Sequence, residues 1–245
     1  ALTDHDRLDG LAGAAAAARR LGVELVPGCE LSCTFPGTLH LLVYFVEPGD
    51  GPLQEELVRL QRDREDRNRA LFDRLGELGL PVTEEEVRAE AGHLGTGLPH
   101  VAAVLVRNGA ARSIQDAFDR FLGRGQVAYV PKARLEPATA IGLAVASGGL
   151  PVLAHPLTTG RDPAGLRAVV EELVATGLVG LEAHYSRYSA GQREELARLA
   201  ASVGLVATGG SDYHGSYKPG LSVGCGTGDL DVPDAALDAL RARRS

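Results

Sequence analysis

Apolar and polar positions along the 245-residue chain fall into two regimes. Toward both ends, short apolar runs alternate with longer stretches of helical spacing. "LDGLAGAAAAARRLG" is rich in alanine and closes on Gly22, which predicts a helix with a glycine stop. "VELVPG" predicts a short strand running into Gly28. "HLLVYFV", β-branched and aromatic, predicts a second. From residue 137 three helix–strand pairs follow: "ATAIGLAVASGG" and "LPVLAHP", "AGLRAVVEELVATG" and "LVGLEAHY", "GQREELARLAASVG" and "LVATGGSDYHG". Repeated βα units with short loops predict a parallel sheet or a barrel.

The middle of the chain follows another rule. Leu53, Leu57, Leu60, Leu71, Leu75 and Leu78 fall near helical spacing within one long amphipathic stretch. Its centre, "RDREDRNR", reads as a solvated face, with Arg67 as a candidate for the rim of an active site. Thr83 followed by Glu86 is a capping box that starts another helix. "PHVAAVLVRNG" and "SIQDAFDRFLG" predict two more. Four helical patterns without a strand predict a helical insertion over residues 51–134. It would cover the active site of an α/β domain formed by residues 1–50 and 135–245.

Composition narrows the function classes. Hydrophobic residues make up 44% of the chain, enough for a sizeable core. A net charge of -7 argues against a broad grip on duplex DNA, but leaves room for a nucleotide or a short single-stranded RNA. Three cysteines without framework spacing, and no secretory signal, point to a reducing cytoplasm. No apolar run reaches membrane-spanning length. The chain contains no Met and opens directly on "ALTDHD", so residue 1 is expected to be an interior point of a longer natural chain.

Candidate chemistry lies where the apolar runs end. Asp4 and His5, Glu30, His155, Glu182 and His184, and Asp212 and His214 all sit at such ends, and His40 at a strand start. Functional groups of βα folds gather at the carboxyl ends of strands. Buried polar groups there are costly unless partnered. Mixed imidazole and carboxylate ligands suit manganese, iron or zinc, and a carboxylate among imidazoles can bridge two ions. Such clusters hold phosphate oxygens and generate a hydroxide nucleophile near neutral pH. The residues alone therefore predict a multinuclear metallohydrolase acting on a phosphoester.

"LTDHD", "GCELS", "HLLVYFV", "LPHVA", "VLAHP", "HYSRYS" and "GGSDYHG" occur in the order found in the polymerase-and-histidinol-phosphatase (PHP) superfamily, which the whole chain resembles. It is most similar to the bacterial branch acting on nucleoside 3′,5′-bisphosphates and short RNAs. The resemblance implies a distorted (β/α)7 barrel carrying up to three divalent metals, manganese first, with iron or zinc as alternatives. His5, Glu30, His40, His155, Asp212 and His214 match the family's metal ligands, Glu30 as the bridging carboxylate. The family's earlier His-x-His and Ser-Asp-Gly motifs do not occur here, so the first βα unit of the barrel is expected to be missing from this chain. The rival readings are another phosphomonoesterase, such as a histidinol-phosphate phosphatase, and a degenerate metal-binding domain without activity.

Candidate substrate contacts come from the resemblance for His100 and from the residues themselves for the others. His100, in "LPHVA", matches a position near the substrate phosphate. Lys132 and Arg187 are candidate phosphate contacts, Arg187 the stronger because it follows a strand end and guanidinium suits bidentate phosphate binding. Lys218 is a weaker candidate. Leu98 and Ala103 stand where relatives often carry arginines. Cys29 and Cys33 are not expected to be ligands, because Cys29 precedes Glu30 in a strand and points the other way. His184 is expected to lie behind the ligands at most, and His93 to be an exposed loop residue.

Overall fold

The computed structural model describes residues 1–92 and 95–244; His93 lies outside them. Two compact units emerge, one of residues 1–58 and from 134 onward, the other of residues 59–133.

The first unit carries a six-stranded sheet: β1 (Leu2–His5), β2 (Pro27–Cys33), β3 (Leu39–Tyr44), β4 (Leu150–Ala154), β5 (Gly180–Tyr185) and β6 (Val206–Gly210), paired in sequence order. Helices α1 (Gly10–Leu21), α6 (Pro137–Ala146), α7 (Pro163–Ala175) and α8 (Ala190–Ser202) connect strands, and α9 (Ala235–Arg241) follows β6. Three pairings are parallel, but β3 runs antiparallel to both β2 and β4. Only residues 34–38 join β2 to β3, too few for the crossover that a parallel pair needs.

The "VELVPG" strand is corrected in position. Val23 N–H bonds back to Ala18 O as part of the α1 stop, and the strand begins only at Pro27. Proline is tolerated at a first strand residue, where no ladder N–H is required. The strand then runs through Gly28, whose missing side chain lets β3 pair closely: a Cβ there would lie 2.5 Å from the Val43 carbonyl oxygen. Glu30 therefore sits in mid-strand rather than at a strand end.

Alternation gives the sheet two apolar faces. Leu31, Leu41, Val43, Leu153 and Leu181 are fully buried on one. Leu42, Tyr44, Leu150, Val152, Ala154 and Val206 cluster on the other, which also bears Glu30 and His40. That second face is concave. Six flat strands would hold their edges about 24 Å apart. Instead the rings of His5, at the end of edge strand β1, and His214, just past edge strand β6, are 5.7 Å apart.

The second unit is helical. It contains α2 (Pro52–Glu77) from residue 59 on, α3 (Glu84–Ala91), α4 (Leu98–Arg107) and α5 (Ile114–Ala117), the last continuing into a π-helical turn over Phe118–Leu122. The Thr83–Glu86 capping box forms. Leu71, Leu75, Val87, Val101, Val104, Leu105 and Leu122 make the core. The "RDREDRNR" stretch is not a uniformly solvated face: Arg67 and Asn68 are buried, because they lie on the stripe that continues through Leu71 and Leu75 at helical spacing. No described helix is long and apolar enough to cross a membrane.

Candidate metal centre

Register explains how distant residues reach one place. His5 pairs with Glu30 across β1 and β2, so both face the concave side. His40 opens β3, but because β3 is antiparallel its start lies beside the ends of β2 and β4, opposite Ser32 and Ala154. His155 follows β4 directly.

These residues converge on the Glu30 carboxylate, which is 5% exposed. His40 Nδ1 lies 2.6 Å and His155 Nε2 3.1 Å from Glu30 Oε1, with His5 Nδ1 3.8 Å from Oε2. Burial alone would raise the Glu30 pKa. The His5 charge and the hydrogen bonds from His155 and His40 outweigh it and hold the carboxyl well below its usual range. Burial disfavours the His155 cation, but the Glu30 hydrogen bond prevails and raises its pKa.

Asp212 and His214 form the adjoining part. His214 Nδ1 is 3.1 Å from Asp212 Oδ1, and Tyr185 Oη donates to Asp212 Oδ2 at 2.7 Å. Lys218 Nζ donates to the same oxygen at 2.5 Å. Burial opposes ionisation of Asp212, yet the His214 and Lys218 contacts bring its pKa down to about 2. The Asp212 hydrogen bond raises that of His214.

The donor set fits a divalent cation. One ligand atom each from His5, Glu30 and His40 lies within 4.8 Å of the others. An ion bonded at about 2.1 Å spreads its ligand atoms up to about 4.2 Å, so small side-chain adjustments suffice. A buried carboxylate ringed by imidazoles is moreover a poor place to leave without a cation.

Glu182 was named in the sequence as a strand-end residue but given no role. Its Oε2 accepts the His155 backbone N–H at 2.7 Å, and burial raises its pKa to about 8. His155 sits at φ 27°, in the left-handed region rarely adopted by non-glycine residues. Tyr185 was not singled out at all. The signal was hidden by a β-bulge: Glu182 pairs with Thr208, whereas His184 and Tyr185 pair with Gly209 and Gly210. The bulge turns Tyr185 onto the face of Glu182 and sends His184 to the opposite one, against Ala197, Ala201 and Pro233. His184 thus stays away from the candidate ligands, within the expectation that it lies behind them at most.

Of the remaining candidates, Arg187 is exposed in the turn after β5. His100 and Lys132 belong to the helical unit, where His100 Nδ1 accepts the Gly97 N–H at 2.9 Å. Asp4, Cys29 and Cys33 alternate to the face opposite His5 and Glu30.

Comparison with known proteins places this arrangement. The chain is 32% identical over 215 residues to a 5′-3′ exoribonuclease of Haemophilus influenzae, covering 87% of this chain and 78% of that protein. It is 32% identical over 230 residues to a 3′,5′-nucleoside bisphosphate phosphatase of Chromobacterium violaceum, covering 91% and 79%. The chain belongs to the PHP superfamily. It is a phosphoesterase of that superfamily, a hydrolase. A crystal structure described as a metal-dependent phosphoesterase of Bifidobacterium adolescentis superposes with a TM-score of 0.85 at 26% identity, covering 98% of this chain and 84% of that one. No family model matches the chain.

Proposed function

We propose that this PHP phosphoesterase removes phosphate from nucleoside 3′,5′-bisphosphates, from the 5′ ends of short oligoribonucleotides, or from both. The observation that carries the reading is the Glu30 carboxylate, buried among His5, His40 and His155 beside the Asp212–His214 pair. The names of its relatives supply the substrate class. His5, Glu30, His40, His155, Asp212 and His214 would hold up to three divalent ions, manganese first. Such ions neutralise phosphate charge and lower the pKa of a coordinated water toward neutrality. The concave, mixed sheet is the frame we assign to a distorted (β/α)7 barrel.

The chain's own groups do the positioning. Glu182 fixes the backbone of His155, while Tyr185 and Lys218 aim Asp212. Arg187 meets the substrate phosphate, and we assign His100 and Lys132 of the helical insertion to the same task. The test is phosphate release by the manganese-supplemented protein from adenosine 3′,5′-bisphosphate and 5′-phosphorylated oligoribonucleotides. Glu30→Gln and His155→Ala should each lower the rate by about 100-fold or more. Absence of release from both substrates by the wild type would overturn the reading.

A further inference from the structure

The side chains around the two carboxylates of the candidate metal centre differ in kind. Glu30 is met by His5, His40 and His155. A neutral imidazole can turn a nitrogen lone pair to an ion, so these partners are themselves metal donors. Asp212 is met by His214, by the Tyr185 hydroxyl and by Lys218, whose Nζ is 2.5 Å from Oδ2. An ammonium has three N–H donors and no lone pair, and it carries a compact positive charge. Among the chain's 25 lysine and arginine residues only Lys132 and Lys218 are lysines. Lys218 follows the turn at Gly215–Tyr217, and its side chain is 31% exposed against 11% for Asp212. The pair is partly sheltered from water, and charges this close are little screened by salt.

We propose that Lys218 is a positioning residue that divides the metal centre into a retained site at Glu30 and an exchangeable site at Asp212. The inference rests on the proposed function, in which both carboxylates hold divalent ions. An ion bonded to either Asp212 oxygen meets Lys218 as a like charge, and Lys218 draws on the same carboxylate charge that would hold the ion. No lysine or arginine is paired with Glu30 among the described residues. The orientation of Asp212 does not need Lys218, because the uncharged Tyr185 hydroxyl donates to the same oxygen at 2.7 Å. Removing the Lys218 charge should therefore tighten the ion at Asp212, whereas loss of a residue that only orients a ligand weakens metal binding. Turnover would then follow free metal at the Asp212 site, with the Glu30 site filled throughout.

The experiment is equilibrium dialysis of the full chain against a range of free manganese, with bound metal counted by elemental analysis. Wild type should fill a tight step and a weak step, and Asp212→Asn should delete the weak one. Lys218→Met should move the weak step to about tenfold lower free manganese and leave the tight step in place. Lys218→Arg, which keeps the charge, should retain the wild-type curve. Lys218→Gln gives the same readout should Lys218→Met not fold. Coinciding curves for wild type and Lys218→Met, weaker binding by Lys218→Met, a shift confined to the tight step, or a Lys218→Arg curve like that of Lys218→Met each overturn the proposal. So does a single step in wild type. Phosphate release from adenosine 3′,5′-bisphosphate and 5′-phosphorylated oligoribonucleotides, measured on the same samples, keeps the two readings apart. Steps that shift as expected without turnover overturn the substrate reading alone, and turnover with coinciding curves overturns this proposal alone.

Discussion

At the residue scale, the candidate metal centre is braced by groups outside the six candidate ligands. Glu182 takes the His155 N–H, and His155 holds a left-handed backbone that would otherwise relax. Glu182→Ala leaves that N–H buried without its acceptor, a loss of about 1–3 kcal/mol. Its melting temperature should fall by several degrees, while Glu182→Gln, which retains an acceptor oxygen, should melt close to wild type. Melting of Glu182→Ala at the wild-type temperature would sink the idea. His100 gives a pH prediction. Burial lowers its pKa below the ordinary 6.5, and its neutral Nδ1 accepts the Gly97 N–H. The folded chain therefore binds fewer protons at this group than the unfolded chain does. Its contribution is complete above 6.5 and is lost as pH falls through the lowered folded value. The protection factor of the Gly97 amide, its exchange rate relative to the unstructured rate at the same pH, should fall below that pH, and His100→Ala should remove that fall.

At the element scale, strands and helices were unequally legible. The helices could be read because their signals are local: the Thr83–Glu86 box and the glycine after α1 lie within a few residues of what they control. Thr83→Ala should cost about 1 kcal/mol, seen in thermal melts, without changing phosphate release. The start of β2 was misread because it depends on a partner strand. Gly28 belongs to the strand only because the Val43 carbonyl comes so close. Gly28→Ala should force β2 and β3 apart, cost about 1–3 kcal/mol, and lower phosphate release by displacing Glu30 two residues on. Unchanged activity in that variant would show that the site tolerates the shift.

At the scale of the whole molecule, the concave sheet gathers ligands from both termini of the chain. His5 and His214 are separated by most of the sequence, yet their rings are 5.7 Å apart. An ion held by the proposed ligands would tie β1, β2, β3 and the segment after β6 together, a site the unfolded chain does not assemble. Chelation with EDTA should therefore lower the melting temperature, with recovery on adding manganese in a concentration-dependent way. Glu30→Gln should remove most of that response. A melting temperature indifferent to both chelator and manganese would argue that the centre holds no metal.

The sequence by itself determined the alternation of strands and helices, the helical segment between them, and the metal-ligand candidates, because periodicity and residue type are properties of the chain. Motif order carried the family resemblance in the same way. The tertiary structure decided what depends on partners. The antiparallel β3 brought His40 to the correct end of the sheet, and the bulge in β5 exchanged His184 for Tyr185. Helix packing buried Arg67 within a run of charges that reads as solvated. Register, bulges and burial arise from contacts between segments far apart in the chain, and local sequence does not encode which neighbour a segment will meet.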